Sequence, residues 1–353
     1  MLIGGIAASI AVAMTIVGVV IALAGRAPDV ATPAGTLGAS PPSTASPAAT
    51  VPTGQLASMT LPDAGGTTLF ENAADPVKLT SYAHYDQATK NWIYYARDSL
   101  TGKFRKYPDH WEAFLSPDGR YVAKRGKQFT TTGYDSVEIT DQVSGETFTV
   151  ETSRKPLSAY IQTWSGDSTK LLVNVGNPTK TGWQSTGYAV VDLATRKATV
   201  ASLREDSLRD IRYGFDRTGT RVVALSWRPV QQALRLFTLS GERVRRLPNV
   251  GSGLADNLFS PSGRLFATNC PGLENGTHCV YDLATGAEVR RFESGCSGAT
   301  FWWDESHLVC WARPDQNADA SRLQVVDFTG KRVRVLAEAD SGADALQFFL
   351  TFT

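Results

Sequence analysis

The chain has 353 residues, of which 42% are hydrophobic and 10% aromatic, so it is long enough to bury a large core. Its 35 basic and 34 acidic side chains leave a net charge of +1. This balance argues against a nucleic-acid-binding protein, whose phosphate contacts need a strong basic excess, and against an acidic disordered chain. The 4 cysteines are too few for a small disulfide-built scaffold but enough for two bridges.

Residues 2–25 contain no charged side chain. A membrane-spanning helix needs about 20 apolar residues, so residues 1–26 are predicted to be a retained single-pass anchor that contacts the membrane through residues 2–25. A cleaved signal peptide is the alternative, because the segment Ala22 to Ala24 fits a small-residue cleavage site. The apolar run exceeds the usual signal length, however, and no Lys or Arg precedes it.

The orientation of this anchor is set by conflicting signals. Arg26 is the only flanking positive charge, and alone it would place the rest of the chain in the cytoplasm. The cysteines and the segment that follows favour the opposite side. We therefore expect a cell-membrane protein whose folded domain is extracytoplasmic. Small residues recur at Gly5, Ser9 and Ala13, a spacing at which two helices can pack, but we expect a monomer.

Residues 27–76 are rich in Pro, Ala, Ser, Thr and Gly and show no periodicity. Such a composition buries too little apolar surface to offset the chain entropy lost on folding. The segment is predicted to be a flexible linker that spans roughly 40 Å as a random coil. It fits both a spacer that lifts a domain off the membrane and an unselected connection.

From Val77 onward, aromatic and β-branched runs alternate with turn residues, as in strands. One hairpin type turns at sequences such as Ser-Pro-Asp-Gly-Arg, and its glycines supply the positive φ that tight turns need. Five copies of this hairpin begin at an aromatic residue just before the turn. These residues are Phe114, Trp164, Phe215, Phe259 and Trp303.

A second turn type resembles Asp-x-x-Thr-Gly and is anchored at Gly102, Gly145, Arg196, Gly241, Gly286 and Gly330. The spacings of 43, 51, 45, 45 and 44 residues match the four-stranded blade of a β-propeller. The strand at residues 345–353 has no hairpin partner of its own. We therefore predict an all-β, six-bladed propeller over residues 77–353, whose ring the C-terminal strand closes by completing the first blade.

These two turn motifs resemble TolB-like and WD40-like propeller repeats over the whole segment from residue 77. The Gly-His and Trp-Asp dipeptides of WD40 repeats are absent, so the chain is more similar to the TolB-like group, in a membrane-anchored bacterial form. Members of that group are extracytoplasmic binding modules rather than enzymes, and the resemblance implies the same here. It transfers no ligand-binding residue, because the matching positions are turn and core positions.

With the strands of each blade labelled A to D, the B–C and D–A loops share one end of the ring, which we call the axial face. Two B–C loops are predicted to be long, at residues 176–187 and 313–321. Trp183 lies in the first loop among polar residues, where an exposed Trp often anchors a ligand, although it could instead fold back over its blade.

Other candidate ligand-binding residues carry charge or lie near these loops. The full set of candidates is Trp183, Lys124, Arg125, Arg154, Arg228, Arg313, Asp315, His110 and Trp111. Lys124 and Arg125 form a small basic cluster, with Lys127 and with Arg154 and its neighbour Lys155. The alternative for this cluster is a solvated charged rim.

The cysteines lie in the last two predicted blades. A short loop joins Cys270 to Cys279, so a bridge between them is predicted, worth about 3 kcal/mol of stability. Cys296 and Cys310 lie on neighbouring strands but not directly opposite, and a bridge or buried thiols both fit them. The spacing of these cysteines does not match a zinc site, and neither a metal nor a cofactor is predicted.

Catalytic patterns are sparse. His110, beside Asp109 and Trp111, is the best placed of the 4 histidines, and no nucleophile-elbow, zinc-protease, phosphate-loop or EF-hand motif is present. We expect no catalysis and predict a module that binds a protein, peptide or glycan on its axial face. The alternatives are a propeller hydrolase or lyase acting near the central channel, and a structural or sensory ectodomain.

Overall fold

The computed structural model describes residues 51, 54, 56–179, 182–203, 208, 211–226, 232–253, 257–272, 276–313, 320–340 and 346–353. The predicted anchor, most of the predicted linker, and the candidates Arg228 and Asp315 lie outside these residues. None of the described residues belongs to a helix with the length and hydropathy of a membrane span.

The described residues are organised almost entirely as strands. The first thirteen are β1 (Ala57–Thr60), β2 (Thr68–Glu71), β3 (Val77–Asp86), β4 (Asn91–Arg97), β5 (Phe104–Lys106), β6 (His110–Leu115), β7 (Tyr121–Gly126), β8 (Tyr134–Asp141), β9 (Thr147–Arg154), β10 (Ser158–Trp164), β11 (Lys170–Thr179), β12 (Gly182–Asp192) and β13 (Lys197–Ser202). The others are β14 (Ile211–Phe215), β15 (Arg221–Ser226), β16 (Leu234–Thr238), β17 (Arg243–Leu247), β18 (Leu265–Asn269), β19 (Thr277–Asp282), β20 (Glu288–Glu293), β21 (Cys296–Asp304), β22 (His307–Ala312), β23 (Ser321–Asp327), β24 (Arg332–Ala339) and β25 (Leu346–Phe352).

These strands form six antiparallel sheets within the described residues. Sheets 2, 3 and 4 each contain four consecutive strands, β6–β9, β10–β13 and β14–β17. Sheet 1 has the order β25-β3-β4-β5, so its first strand comes from the C-terminal part of the sequence. Sheet 5 contains β18–β20, and a bridge from Phe259 to Phe266 extends its first edge. Sheet 6 has the order β21-β22-β23-β24-β2-β1.

Turn chemistry explains the hairpins between the first two strands of each sheet. In sheet 2 the N–H of Gly119 donates to the carbonyl of Ser116, and Gly119 has a φ of 74°. A Cβ at this position would also meet the side chain of Leu100 at 2.8 Å. Only glycine therefore combines the left-handed backbone with the available space.

Apolar side chains pack between neighbouring sheets. One buried cluster joins sheets 1, 2 and 3 through residues such as Ala83, Phe114 and Trp164. Smaller clusters join sheets 3 and 4, sheets 4 and 5, sheets 5 and 6, and sheets 6 and 1. Each sheet thus covers the apolar face of the next one, which is how a set of small sheets keeps its apolar side chains out of water.

The structure differs from the predicted linker at its C-terminal part. β1 and β2 form a hairpin, and β2 pairs with the outer edge of sheet 6 through Thr68 opposite Glu338 and Leu69 opposite Ala337. Leu61 and Leu69 are buried in the cluster between sheets 6 and 1. We call residues 57–76 the N-terminal strap. The linker prediction is wrong for this strap, because a few well-spaced apolar and charged residues outweigh a composition that is otherwise typical of disorder.

The predicted Cys270–Cys279 disulfide is present, and the two cysteines whose pairing was left open are also bonded. Cys270 is bonded to Cys279, with their Cα atoms 5.0 Å apart, and Cys296 to Cys310, with their Cα atoms 5.7 Å apart. β-Bulges in β21 shift its register against β22 after Cys296, a change that strand spacing alone does not reveal.

Candidate functional site

The predicted basic cluster lies in sheet 2, where protein groups already surround its charges. Lys124 forms an ion pair with Glu138. Arg125 is 15% exposed and forms ion pairs with Glu112 at 3.1 Å and with Asp135 at 3.4 Å. The structure therefore gives both basic side chains partners within their own sheet rather than an open surface.

The partners of Arg125 connect sheet 2 to sheet 3. The backbone N–H of Ile161 donates to Glu112 at 2.7 Å, and that of Ala159 donates to Asp135 at 2.9 Å. Burial raises the pKa of Glu112, and the nearby Arg125 partly offsets that effect. Arg125 thus neutralises two buried carboxylates that hold the first strand of the next sheet.

Arg154 and Lys127 lie against aromatic rings. The Arg154 guanidinium is 5.8 Å from the ring centroid of Tyr134, and the Lys127 ammonium is 5.6 Å from that of Trp111. Trp111 is 39% exposed. These are cation–π contacts of exposed or half-buried side chains, the arrangement expected of a charged rim.

His110 begins β6 close to Trp111. Burial and the Lys124 charge hold the pKa of His110 below its usual value. In the described part of the chain, no hydrogen bond joins its ring to a carboxylate, although the charges of Glu138 and Asp109 partly offset the lowering of its pKa.

Trp183 lies in a strand rather than in a long loop. Within this segment, residues 176–179 belong to β11 and residues 182–187 to β12, and the two strands pair as far as Thr179 opposite Gly182. The indole N–H of Trp183 donates to Asn174 at 3.0 Å, and its ring packs edge-on against Tyr160 at 5.0 Å. The side chain is half-buried over its own sheet, as the alternative interpretation predicted. Arg313 is exposed directly after β22.

A cavity of about 90 Å³ lies elsewhere, among the first strands of sheets 1, 2, 3, 4 and 6 and the segment around Phe259 that bridges to sheet 5. Aromatic residues from these strands, and from the Phe259 bridge of sheet 5, dominate its lining. They are Phe114, Trp164, Phe215, Phe259, Phe301, Phe349 and Phe352. Leu115, Trp164 and Phe215 are the last residues of β6, β10 and β14, so the cavity is near the turns that follow the first strands. It therefore lies at the opposite end of these strands from His110 and from the predicted axial face.

One polar side chain in this cavity has an unusual environment. Gln162 is 5% exposed, and its buried Oε1 atom has no hydrogen-bond partner. In the register between β10 and β11, Ile161 pairs with Val173 and Thr163 with Leu172, so Gln162 is the extra residue of a β-bulge. Bulges often redirect a side chain toward a functional site. Here the bulge accounts for a polar group among aromatic neighbours.

Arg217 is the basic residue in the described lining of the cavity. Its Nε–H donates to the carbonyl of Pro261 at 3.0 Å, and its guanidinium is 4.6 Å from the ring centroid of Phe352. A Cβ added to Gly166 would meet its Nη1 atom at 2.5 Å. Arg217 thus contacts residues of three other sheets while lying half-buried at the cavity.

The cavity also contains one acidic side chain among its described lining residues. Asp216 is the carboxylate in the described lining, and its oxygens accept hydrogen bonds from Thr218 and from the backbone of Thr220 and Arg221. These bonds tie it to its own turn. Within the described residues, no group of three or more His, Cys, Asp or Glu side chains is arranged to hold a metal ion.

Two of the solved structures to which this fold is similar have a TM-score above 0.5 and low sequence identity. TolB from Acinetobacter baumannii matches with a TM-score of 0.52 and 18% identity, covering 78% of this chain and 66% of that one, just under two thirds of its length. An oligogalacturonate lyase in complex with manganese matches with a TM-score of 0.52 and 14% identity, covering 79% of this chain and 83% of that one. The fold is a β-propeller.

The comparisons confirm the resemblance to TolB-like propellers at the level of the fold. No family model matches the sequence, and no curated protein does. One of the two similar propellers is TolB and the other a lyase, so the fold is shared by proteins with different activities. The site, and not the fold, must therefore carry the functional argument.

Arg217 is marked in the sequence by its position in a hairpin turn, away from the loops of the predicted axial face. In the corresponding turns of sheets 2, 3 and 5, its position is occupied by Pro117, Gly166 and Pro261. A long cation where these turns have a small or rigid residue marks that turn as different. Gln162 carried no comparable signal, because a bulge depends on the register with the neighbouring strand.

Proposed function

We propose that this chain is a membrane-tethered, extracytoplasmic, six-bladed propeller that binds a ligand group in its central cavity. In this proposal the six sheets are the blades, and the pairing of β25 with β3 closes the ring. Residues 2–25 are the anchor. The group that enters the cavity is part of a peptide, protein, glycan or small molecule. The protein acts as a monomeric binding module.

The unpartnered Oε1 atom of Gln162 is the observation that carries this proposal. Leaving a buried polar atom without a partner costs about 1–3 kcal/mol. An apolar residue of the same size would remove that cost in a cavity lined mainly by aromatic rings. A ligand that bonds to the amide can supply the missing partner in place of water and offset this cost.

The alternative, a hydrolase or lyase, needs an acid or base that can reach the reacting group. Asp216 is bound to its own turn, and His110 is at the other end of β6. The described lining therefore supports binding better than catalysis.

The test compares Gln162→Met with Gln142→Met in the full-length protein in detergent micelles. Gln142 also has a buried, unpartnered atom, Nε2, but it lies in a turn of sheet 2 outside the cavity. The probes are propionate, propanamide and 1-propanol, titrated by ligand-observed NMR.

We expect the wild type and Gln142→Met to bind at least one probe, and Gln162→Met to lose that binding while it gains stability against urea. Equal probe binding by all three proteins, or no binding to the wild type, would contradict a site at this cavity. The proposed location has its own test. Protease treatment of intact cells, with thiol labelling before and after reduction, should cleave the chain between residues 27 and 56 and label cysteines only after reduction.

A further inference from the structure

We propose that the cavity recognises a carboxylate at the end of a slender apolar group, and that Arg217 binds this carboxylate. The inference rests on the proposed function and adds the charge and size of the ligand.

The surroundings of Arg217 lack the partner that a guanidinium normally has. Within the described residues it has no carboxylate within ion-pair distance, and its hydrogen bond to the Pro261 carbonyl uses Nε alone. Burial without a neighbouring negative charge lowers the pKa of Arg217. A partly desolvated cation of this kind is stabilised by a negative ligand, and guanidinium groups bind carboxylates with two parallel hydrogen bonds.

The contacts of Arg217 hold its guanidinium beside the cavity. The ring of Phe352 lies on one side, and Gly166 leaves the space that Nη1 occupies. A side chain at residue 166 would displace the guanidinium, so the glycine at this position is needed for the observed position of Arg217. Its two terminal nitrogens have no hydrogen bond to the described residues.

Gln162 suits the same ligand. An amide can rotate about its last bond, which exchanges the positions of Oε1 and Nε2. After this rotation Nε2–H would be the donor at the buried position and would bond a carboxylate oxygen. Arg217 therefore determines the preferred charge, and Gln162 adds a second polar contact.

The size of the cavity limits the ligand group. Its volume is about 90 Å³. An apolar cavity that holds benzene has roughly 150 Å³, so the enclosed part of this one, which is partly open to solvent, takes only a few heavy atoms of a ligand. A short aliphatic carboxylate fits this limit, either as a free acid or as the C-terminal residue of a polypeptide.

The experiment measures charge preference with matched probes in the full-length protein in detergent micelles. Propionate and propanamide have nearly the same shape and differ in charge. The peptide Gly-Gly-Ala, with a free or an amidated C-terminus, tests the polypeptide source. Ligand-observed NMR at pH 7 gives the affinities.

The variants separate the charge of Arg217 from its position. Arg217→Met removes the charge and retains an apolar side chain beside Phe352. Gly166→Ala retains the charge and displaces the guanidinium. Arg221→Met is the control, because it removes an exposed positive charge from the start of the next strand without altering the cavity lining.

We expect the wild type and Arg221→Met to prefer the carboxylate by about tenfold, the effect of one charged hydrogen bond. Arg217→Met should abolish the preference, and Gly166→Ala should reduce it. Tighter binding of the free-acid peptide than of propionate would indicate that the carboxylate is a polypeptide C-terminus. Tighter binding of propionate would indicate that it is a free acid. Equal affinities for carboxylate and amide in the wild type would overturn this inference and leave the proposed function intact. Failure of all probes to bind would overturn both.

Discussion

Arg334 of sheet 6 and Asp75 of the N-terminal strap form a bidentate ion pair, in which Nη1 and Nη2 each donate to one carboxylate oxygen and the Nη2–Oδ2 distance is 2.7 Å. Their side chains are only 2% and 1% exposed. A second pair, Arg97 with Glu71, joins the strap to sheet 1, and the Arg97 side chain is 1% exposed. The strap thus crosses from one sheet to the next and is fixed to both by charges withdrawn from water.

Asp75→Ala should therefore destabilise the protein by about 3–5 kcal/mol, because it leaves the buried Arg334 without its carboxylate. Urea unfolding followed by tryptophan fluorescence measures this change. Glu146→Ala is the control: its pair with Arg196 is exposed on both sides, at 49% and 55%, and such a pair contributes about 1 kcal/mol or less. Similar losses in the two variants would refute a structural role for the strap.

Arg125→Met tests whether Arg125 is structural rather than part of a ligand site. We expect a loss of about 3–5 kcal/mol, because Glu112 and Asp135 would remain buried without their cation. Probe binding at the cavity should be unchanged in the fraction that stays folded. Lys124→Met should cost much less, since its partner Glu138 is 38% exposed. A stable Arg125→Met protein that loses ligand binding would restore the original prediction.

Removing each disulfide should cost about 3 kcal/mol, because the two closed loops have similar sizes, with sequence separations of 9 and 14 residues. The variants are the double replacements of Cys270 with Cys279 and of Cys296 with Cys310 by alanine. The losses should add when both pairs are replaced, since the bridges lie in different sheets. Thiol titration of the unfolded wild type should detect no thiol before reduction and 4 after it. Thiols that react before reduction would contradict the pairing.

The protein should lose stability as the pH falls, partly through His278. This side chain is buried with Nε2 2.7 Å from the Ser294 hydroxyl, and burial lowers its pKa to about 4. As the pH falls, His278 is protonated near pH 6.5 in the unfolded chain but only near pH 4 in the folded one. Its contribution to the free energy of unfolding is therefore complete above pH 6.5 and is lost progressively toward pH 4. The slope from this group is at most about 1.4 kcal/mol per pH unit.

Unfolding midpoints at pH 7, 6 and 5 measure this dependence. The variant His278→Gln should show a flatter profile than the wild type, because the titrating group is gone. An equally steep profile in the variant would assign the dependence to other groups.

The strands from residue 77 onward were predictable because their signals are local. Turn residues such as Gly119 report a left-handed backbone directly, and the turns recur at a nearly constant spacing. The strap was missed for the opposite reason. Asp75 and Glu71 gain their partners, Arg334 and Arg97, only after folding, and composition does not record such distant contacts.

The cavity was less predictable than the fold. The aromatic residues that line it, such as Trp164 and Phe215, were recognised as the residues before the hairpin turns, but their convergence depends on how the sheets pack. Trp183 shows the opposite case. Its polar sequence neighbours suggested an exposed loop, but it lies in a paired strand and its indole N–H donates to Asn174. The sequence therefore identified the aromatic and charged residues near turns and loops. The packing of the sheets determines which of these residues line the cavity.

The pairing of β25 with β3 also determines when sheet 1 can be finished during synthesis. Phe349 lies opposite Ser81, so the ribosome must add more than 260 residues after β3 before its partner exists. Until then β3 exposes an unpaired edge to chaperones and to other nascent chains. A chain that stops anywhere before residue 346 lacks this strand, so the edge of β3 stays unpaired in it and is expected to remain open to proteases and to other chains.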